Sequence, residues 1–254
     1  MSAIRPPRLG RIGAIVPARN EQQLLPACLA ALDAAAANAS LPTTVIVVLD
    51  ACSDNSAGVL ARASWRSVER LIVLESDRGN VGYARRLGAA ALLAEYRADE
   101  LWLANTDADS VVPPDWFVRQ LCHQARGAAA VLGTVEVADW SGHSGETSHR
   151  YQRNYRAVDG HRHTHGANLS LSATAYLAAG GFPCLAADED VALTNRLIAT
   201  GLPIAWAADL PVRTSARLVG RSPAGFAGHL RTLSAAVLAR RPVLAVVENP
   251  EPAR

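Results

Sequence analysis

The chain alternates short, wholly apolar runs with longer stretches of helical period. Ile12–Val16, Val45–Leu49, Leu71–Leu74 and Leu101–Ala104 are each too short for a helix and apolar throughout. That pattern marks strands covered on both faces. Between them Gln22–Ala37 and about Tyr83–Tyr96 carry helical spacing, with Pro26 near enough to the first turn to be tolerated. Strands alternating with helices predict a parallel sheet with right-handed crossovers. The expected fold class is therefore α/β, a Rossmann-like, mostly parallel sheet flanked by helices.

The texture changes after residue 137. Asp139–Arg162 is polar, rich in Gly, Ser, His and Arg, and shows no clear period. Ala167–Ser172 then reads as a strand and Thr174–Ala179 as a short helix ended by Gly180 and Gly181. Asp188–Thr200 is a helix stopped at Gly201, and Pro223–Arg240 a final amphipathic helix. No repeat or low-complexity linker interrupts the chain, so one domain is expected over residues 1–254. Its parts are a first half over 1–110, a second over 111–222, and a C-terminal helix and tail over 223–254.

Composition narrows the chemistry. Half of the 254 residues are hydrophobic, enough for a real core, and the net charge of +2 is too even for a nucleic-acid binder. No apolar run reaches the ~18–20 residues of a spanning helix. The N-terminal stretch lacks the pattern of a signal peptide, so a cytoplasmic protein is expected. Cys28, Cys52, Cys122 and Cys184 lie far apart with no CxxC spacing, which argues against a zinc knuckle or disulfide framework. All 25 basic residues are arginine. Without lysine there is no Walker A phosphate loop, pyridoxal Schiff base, protein-kinase chemistry or lysine aldol chemistry.

Polar clusters follow all four predicted strands: Arg19-Asn20-Glu21, Asp50 with Asp54, Asp77-Arg78, and Asp107 with Asp109. Ligands collect at this end of a parallel sheet. Asp107 and Asp109, one residue apart in a turn, can both face one hard cation such as Mg²⁺ or Mn²⁺, which would neutralise a diphosphate leaving group; a solvated turn is the plain alternative. Asp50 is placed to accept hydrogen bonds from a nucleobase or ribose, while Asp54 suits a helix cap. Asp188-Glu189-Asp190 opens a helix, where acids complement the dipole or one of them acts as general base. His161, His163 and His165 alternate and share one face if extended, in a loop expected to be exposed. Arg85 could grip a phosphate, and Trp140 could stack on a sugar or lie in the core.

Together these segments resemble the family 2 glycosyltransferases of GT-A fold. Ile15-Val-Pro-Ala-Arg-Asn-Glu21 resembles the first strand and turn of that family. Val47-Val-Leu-Asp-Ala-Cys-Ser-Asp54 resembles its second-strand segment, and Gly82-Tyr-Ala-Arg-Arg-Leu-Gly88 its helix. Asn105-Thr-Asp-Ala-Asp109 matches its DxD, followed in the usual order by Gly166-Ala-Asn168, Gly180-Gly-Phe182 and Glu189-Asp190. The resemblance implies a nucleotide-diphosphate sugar donor held by Pro17, Ala18, Asn20, Glu21, Asp50, Arg85 and Asp107. It implies Mn²⁺ or Mg²⁺ on Asp109 and Asp107, and Asp190, beside Glu189, as the base of an inverting transfer to a hydroxyl. His165, Gly166, Ala167 and Asn168 would form a loop facing acceptor and donor sugar, with 138–165 as an acceptor-side insert.

Some features depart from the family pattern. Leu49 stands where the second-strand motif begins with an acid, and Arg86 where Asn is usual. No Q-x-x-R-W follows the base motif and no membrane helices are expected, which points to a non-processive enzyme. His229 is the only His downstream as a further metal ligand. The acceptor is expected to be a small or lipid-linked molecule, and the C-terminal helix with Arg231, Arg240 and Arg241 is either the surface helix of a soluble protein or a peripheral membrane contact. The competing readings are an Asp-x-Asp phosphatase and a non-catalytic nucleotide-binding protein on the same fold.

Overall fold

A computed structural model describes residues 9–137, 139–217 and 226–238. β1 (Arg11–Ala18), α1 (Leu25–Asn38), β2 (Thr43–Asp50), α2 (Ser56–Arg62), β3 (Arg70–Ser76), α3 (Val81–Glu95) and β4 (Leu101–Asn105) form the alternating first half. Each of the four apolar runs lies within one of these strands. β5 (Ser110–Val111), α4 (Trp116–Ala125), β6 (Ala130–Val137) and α5 (Gly145–Asn154) follow. A 3-10 turn at Gly166–Asn168 leads into β7 (Leu169–Ser172), α6 (Ala173–Ala178), α7 (Glu189–Ala199), β8 (Ile204–Thr214) and α8 (Phe226–Leu238).

The described strands form one 8-stranded sheet of order β3-β2-β1-β4-β7-β6-β8-β5. β1 pairs parallel with both β2 and β4, with Val16 opposite Val47 and Ile15 opposite Asn105. Chain order therefore reverses between these central strands, the place where a doubly wound sheet opens a crevice. β7 runs antiparallel to β4 and β6, and β8 parallel to β6. The carboxyl ends of β1, β2, β4, β6 and β8 thus meet the amino end of β7 along one rim.

The period-two alternation of the buried strands divides the core into two layers. Ala14, Val16, Val45 and Val47 pack with Leu25, Leu29 and Leu32 of α1 and with Trp116 and Phe117 of α4. Ile15, Ile46 and Val48 face the other way onto Ala84, Ala89 and Leu92 of α3, Tyr176 of α6, and Leu193 and Leu197 of α7. Each fully buried leucine contributes about 1.5–3 kcal/mol, which is what fixes strand register against slippage.

The polar stretch after residue 137 differs from its expectation. It contains α5, capped by the Ser144 hydroxyl, which accepts from the Thr147 N–H at 3.2 Å. Thr147 and Tyr151, four apart, are its buried positions. Tyr151 packs with Ala216 and Leu230, with Trp140, Tyr155 and Leu233 around them, so α8 rests on α5 as a small separate cluster. Trp140 belongs to this cluster. The expected ends of the last helix, Pro223 and Arg240, lie outside the described residues, as do Arg241 and the side chain of His229. Among the described residues no helix is long and apolar enough to cross a membrane.

β6 and β8 are joined by an irregular ladder. Gly133 opposes Ala207 but Val135 opposes Val212, so β8 carries three extra residues there. The bulge leaves the carbonyls of Thr134 and Leu210 without ladder partners, and the Asn168 amide donates to both at 2.8 Å. Asn168 fits only because position 133 is glycine: a Cβ there would overlap its amide.

Candidate active site

The rim opens on a cavity of about 530 Å³ lined by the loops after β1, β2 and β4, the turn before β7, the start of α7 and the chain after β8. Three non-glycine residues in left-handed backbone conformations, Asn20, Ala51 and Asp188, lie on these loops. Such conformations cost free energy and persist where surrounding contacts enforce them. Asn20 is held by its own side chain, whose Oδ1 accepts from the backbone N–H of Ser53 at 2.7 Å and of Asp54 at 3.2 Å. It ties the first loop to the second. Asp54 serves the start of α2, accepting from Ser56 N–H at 3.0 Å.

Asp50, buried at the end of β2, accepts from the backbone N–H groups of Gly79 at 3.0 Å and Asn80 at 2.5 Å. It therefore shapes the turn before α3 while also lining the cavity beside Pro17, Ala18 and Glu21.

Arg85 of α3 is 1% exposed and forms the buried centre of the site. Its Nε donates to Glu189 Oε1 at 3.0 Å and its Nη2 to Asp107 Oδ1 at 2.5 Å. This one side chain joins the Asp107 turn after β4 to the acidic start of α7. Its Nη1, also buried, has no hydrogen-bond partner among the described residues. Burial pushes the Glu189 carboxyl up, against the pull of Arg85. Gly166 lies against the guanidinium so closely that a Cβ would collide with it.

Asp190 faces the same turn. Its Oδ2 accepts the Gly166 N–H at 2.6 Å and its Oδ1 the Val191 N–H at 2.8 Å. Burial raises its pKa, with Arg85 and these two N–H groups opposing the rise. The backbone fixes the carboxylate on one side and leaves its remaining lone pairs for a proton.

Asp109 is deeper than a solvated turn allows. Burial, and then the neighbouring Asp107, push its pKa up to about 7, against Arg217. Arg217, beyond the end of β8, places Nη1 at 2.7 Å from Glu21 Oε1 and Nη2 at 3.2 Å from Asp109 Oδ2. Beneath the turn Cys28 of α1 is fully buried, its thiol donating to the Asp107 carbonyl at 3.4 Å. Burial raises this thiol far above its ordinary range.

The cavity wall carries seven carboxylates (Glu21, Asp50, Asp107, Asp109, Asp188, Glu189, Asp190) and three guanidiniums (Arg19, Arg85, Arg217). A diphosphate entering such a wall needs added positive charge. The oxygen-only set at Asp107 and Asp109 suits a hard cation. No group of three or more metal-ligating side chains surrounds one point among the described residues. A cation here would complete its shell from phosphate oxygens and water, as Mg²⁺ commonly does.

Two expectations are corrected. Asn168 does not face the cavity: besides closing the β6–β8 bulge, its Oδ1 accepts from Trp116 Nε1 at 2.9 Å, and the side chain is buried. Its neighbours His165, Gly166 and Ala167 do line the cavity. The histidine loop, expected to be exposed, is a packed stack: His163 lies on Tyr155 at 4.2 Å between centroids and on His161 at 5.4 Å. His161 is buried, and Tyr155 Oη meets His165 Nε2 at 3.0 Å.

Arg217 is the site residue that the sequence did not reveal. β8 is broken in sequence by Asp209 and Pro211 within its bulge, and a polar residue just beyond an unrecognised strand carries no signal.

The family described as Glycosyl transferase family 2 matches residues 14–177. An undecaprenyl-phosphate 4-deoxy-4-formamido-L-arabinose transferase from Serratia proteamaculans is 30% identical over 137 residues, 54% of this chain and 40% of that protein. The chain thus spans well under half the length of this curated relative. Among solved structures, S. aureus TarS 1-349 in complex with UDP-GlcNAc superposes with a TM-score of 0.63 at 13% identity, covering 92% of this chain and 68% of that one. Mannosyltransferase PcManGT from Pyrobaculum calidifontis, in complex with GDP-Man and Mn²⁺, gives 0.60 at 20% identity, covering 85% and 60%.

Proposed function

The chain belongs to glycosyl transferase family 2, and on that premise we propose that it moves one sugar from a nucleotide-diphosphate sugar to a hydroxyl acceptor with inversion. The observation that carries this reading is the anchoring of Asp190. Two backbone N–H groups fix both its oxygens at the cavity wall, on the same turn as His165 and Gly166. Burial raises its proton affinity, as a general base requires.

In the reaction the acceptor oxygen attacks the anomeric carbon as the bond from that carbon to the diphosphate oxygen breaks. The acceptor proton passes to Asp190, and the electron pair of the broken bond leaves on the nucleoside diphosphate. Glu189, neutralised by Arg85, orients the start of α7 so that Asp190 meets the attacking hydroxyl. Pro17, Ala18, Glu21 and Asp50 form the nucleotide wall, with Asn20 holding the first two loops together. Asp107 and Asp109 would hold Mn²⁺ or Mg²⁺. When bound, that ion supplies charge neutralisation at the diphosphate.

A phosphatase would use Asp107 as its nucleophile, yet Oδ1 of that residue is engaged by Arg85. The mixed relatives bind UDP-GlcNAc and GDP-Man, and the nucleotide is best found by a thermal-shift panel of UDP, GDP, TDP, CDP and ADP with and without Mn²⁺. With the donor in hand, Asp190→Asn should lower kcat by about 10²–10⁴-fold while nucleotide affinity stays near wild type. Loss of nucleotide binding in that variant, or unchanged turnover, would remove Asp190 from the role of base.

A further inference from the structure

Arg217 reaches into the donor site from a fixed base. The residue before it, Ala216, is buried in the α5–α8 cluster, and the His143 ring bonds its carbonyl at 2.7 Å. Ser215 Oγ accepts the Arg217 N–H at 3.2 Å. From this anchor the side chain spans to the opposite wall and bridges Glu21, on the loop after β1, to Asp109, on the turn after β4. The two loops flank the crevice where the sheet reverses order. Glu21 is 5% exposed, and Asp109 sits beside Asp107. Acids this deep and this close repel one another, and Arg217 supplies the compensating charge.

Resting on the reading of the site as a nucleotide-sugar pocket, we propose that Arg217 is a resident cation that holds Asp109 in the donor-free protein. It yields that carboxylate only when a nucleoside diphosphate arrives and takes the guanidinium onto its own phosphate oxygens. A divalent ion held on Asp109 would meet the carboxylate that Nη2 already faces, so the two cations would compete for that one group. The diphosphate resolves the competition because it offers Arg217 a bidentate partner. The side chain is a quarter exposed, which gives it room to change partners. Divalent ion and nucleotide therefore bind with positive coupling, and the coupling depends on Arg217.

The test measures Mn²⁺ binding to the full chain by the electron paramagnetic resonance signal of the free ion, first with Mn²⁺ alone and then with the nucleoside diphosphate that gives the largest thermal shift. Without nucleotide, Arg217→Gln should bind Mn²⁺ roughly tenfold tighter than wild type, the equivalent of one charge-assisted contact no longer competing. Arg217→Lys, which cannot bridge both acids as a planar fork, should tighten Mn²⁺ several-fold and serves if the Gln variant does not fold. With nucleotide present, the gain in Mn²⁺ affinity should be smaller in both variants than in wild type. Equal or weaker Mn²⁺ binding in the variants would overturn the proposal. Asp109→Asn separates the two levels: loss of Mn²⁺ binding supports the metal turn itself. If Asp109→Asn retains full Mn²⁺ binding, or no diphosphate shifts the wild type, the pocket reading underneath has failed and the proposal falls with it.

Discussion

Replacing Arg85 with Met removes the charge at the centre of the site while keeping a side chain of similar length over Phe182, whose ring lies 5.8 Å from the guanidinium carbon. Two carboxylates lose their partner, and they do not lose equally. The Asp107 side chain is 37% exposed and keeps water, whereas that of Glu189 is 7% exposed and does not. Breaking a buried pair costs about 3–5 kcal/mol. Glu189 can instead take up a proton, which from its ordinary value of 4.5 costs about 3.4 kcal/mol at pH 7. Protonation is the cheaper route, so Arg85→Met should lose about 3 kcal/mol, or roughly 6–12 °C in Tm for a chain of this size. The sign with pH follows. A carboxyl whose folded pKa lies above its unfolded one binds the extra proton in the folded state, so the variant loses stability as pH rises from about 5 to 8. Adding Glu189→Leu should recover most of the loss and remove that slope. Urea melts at pH 5, 7 and 8 on wild type, single and double variants make the measurement. A single variant within about 1 kcal/mol of wild type, or a double variant no more stable than the single, would refute a buried ion pair at this position.

Two further outcomes follow from the same geometry. Gly166→Ala drives a Cβ into the Arg85 guanidinium and should cost about 1–3 kcal/mol in urea, with turnover falling too because the Gly166 N–H positions Asp190. Burial lowers the pKa of His161 from its ordinary 6.5, and its Nδ1 accepts the His163 N–H at 3.1 Å only while neutral. The unfolded chain protonates this imidazole first, so its contribution to stability is full above pH 6.5 and is lost as pH falls below it. His161→Gln should flatten that acid limb relative to wild type in parallel melts between pH 7 and 5.

What the sequence disclosed and what it withheld have separate physical causes. β3, an edge strand, is apolar in sequence yet has no buried residue. β1, β2 and β4 are buried on both faces, so their apolar runs stand out, and the polar residues at their ends mark the crevice without further help. The Asp107–Asp109 turn was legible for that reason, and the acidic start of α7 because acids cluster at a helix N-terminus. β6 was not, because Gly133 and Thr134 interrupt it, and the glycine makes room for the Asn168 amide. α4 hides its period by burying Gln120, which accepts from Trp102 Nε1 at 2.9 Å. α5 has two buried positions and reads as loop. Asn168 shows the limit of motif transfer: the residue type and spacing fit a ligand-facing loop, while its hydrogen bonds make it a plug in the sheet. Arg85 is different: the sequence marks a side chain that could grip phosphate, and the structure adds its two acidic partners, which no spacing in the chain discloses.

The thiol of Cys28 offers a clock for opening of the candidate site. It touches the backbone of the Asp107 turn from inside the core, and burial keeps it from the thiolate form that reacts. Cys122 and Cys184 are exposed and Cys52 partly so. A chromogenic disulfide reagent would therefore consume the surface thiols at once and reach Cys28 only in those moments when α1 lifts from the sheet. The slow phase then reports how often the floor beneath the Asp107 turn comes apart, and its slowing by a small molecule marks that molecule as a ligand of the closed protein without a product ever being formed.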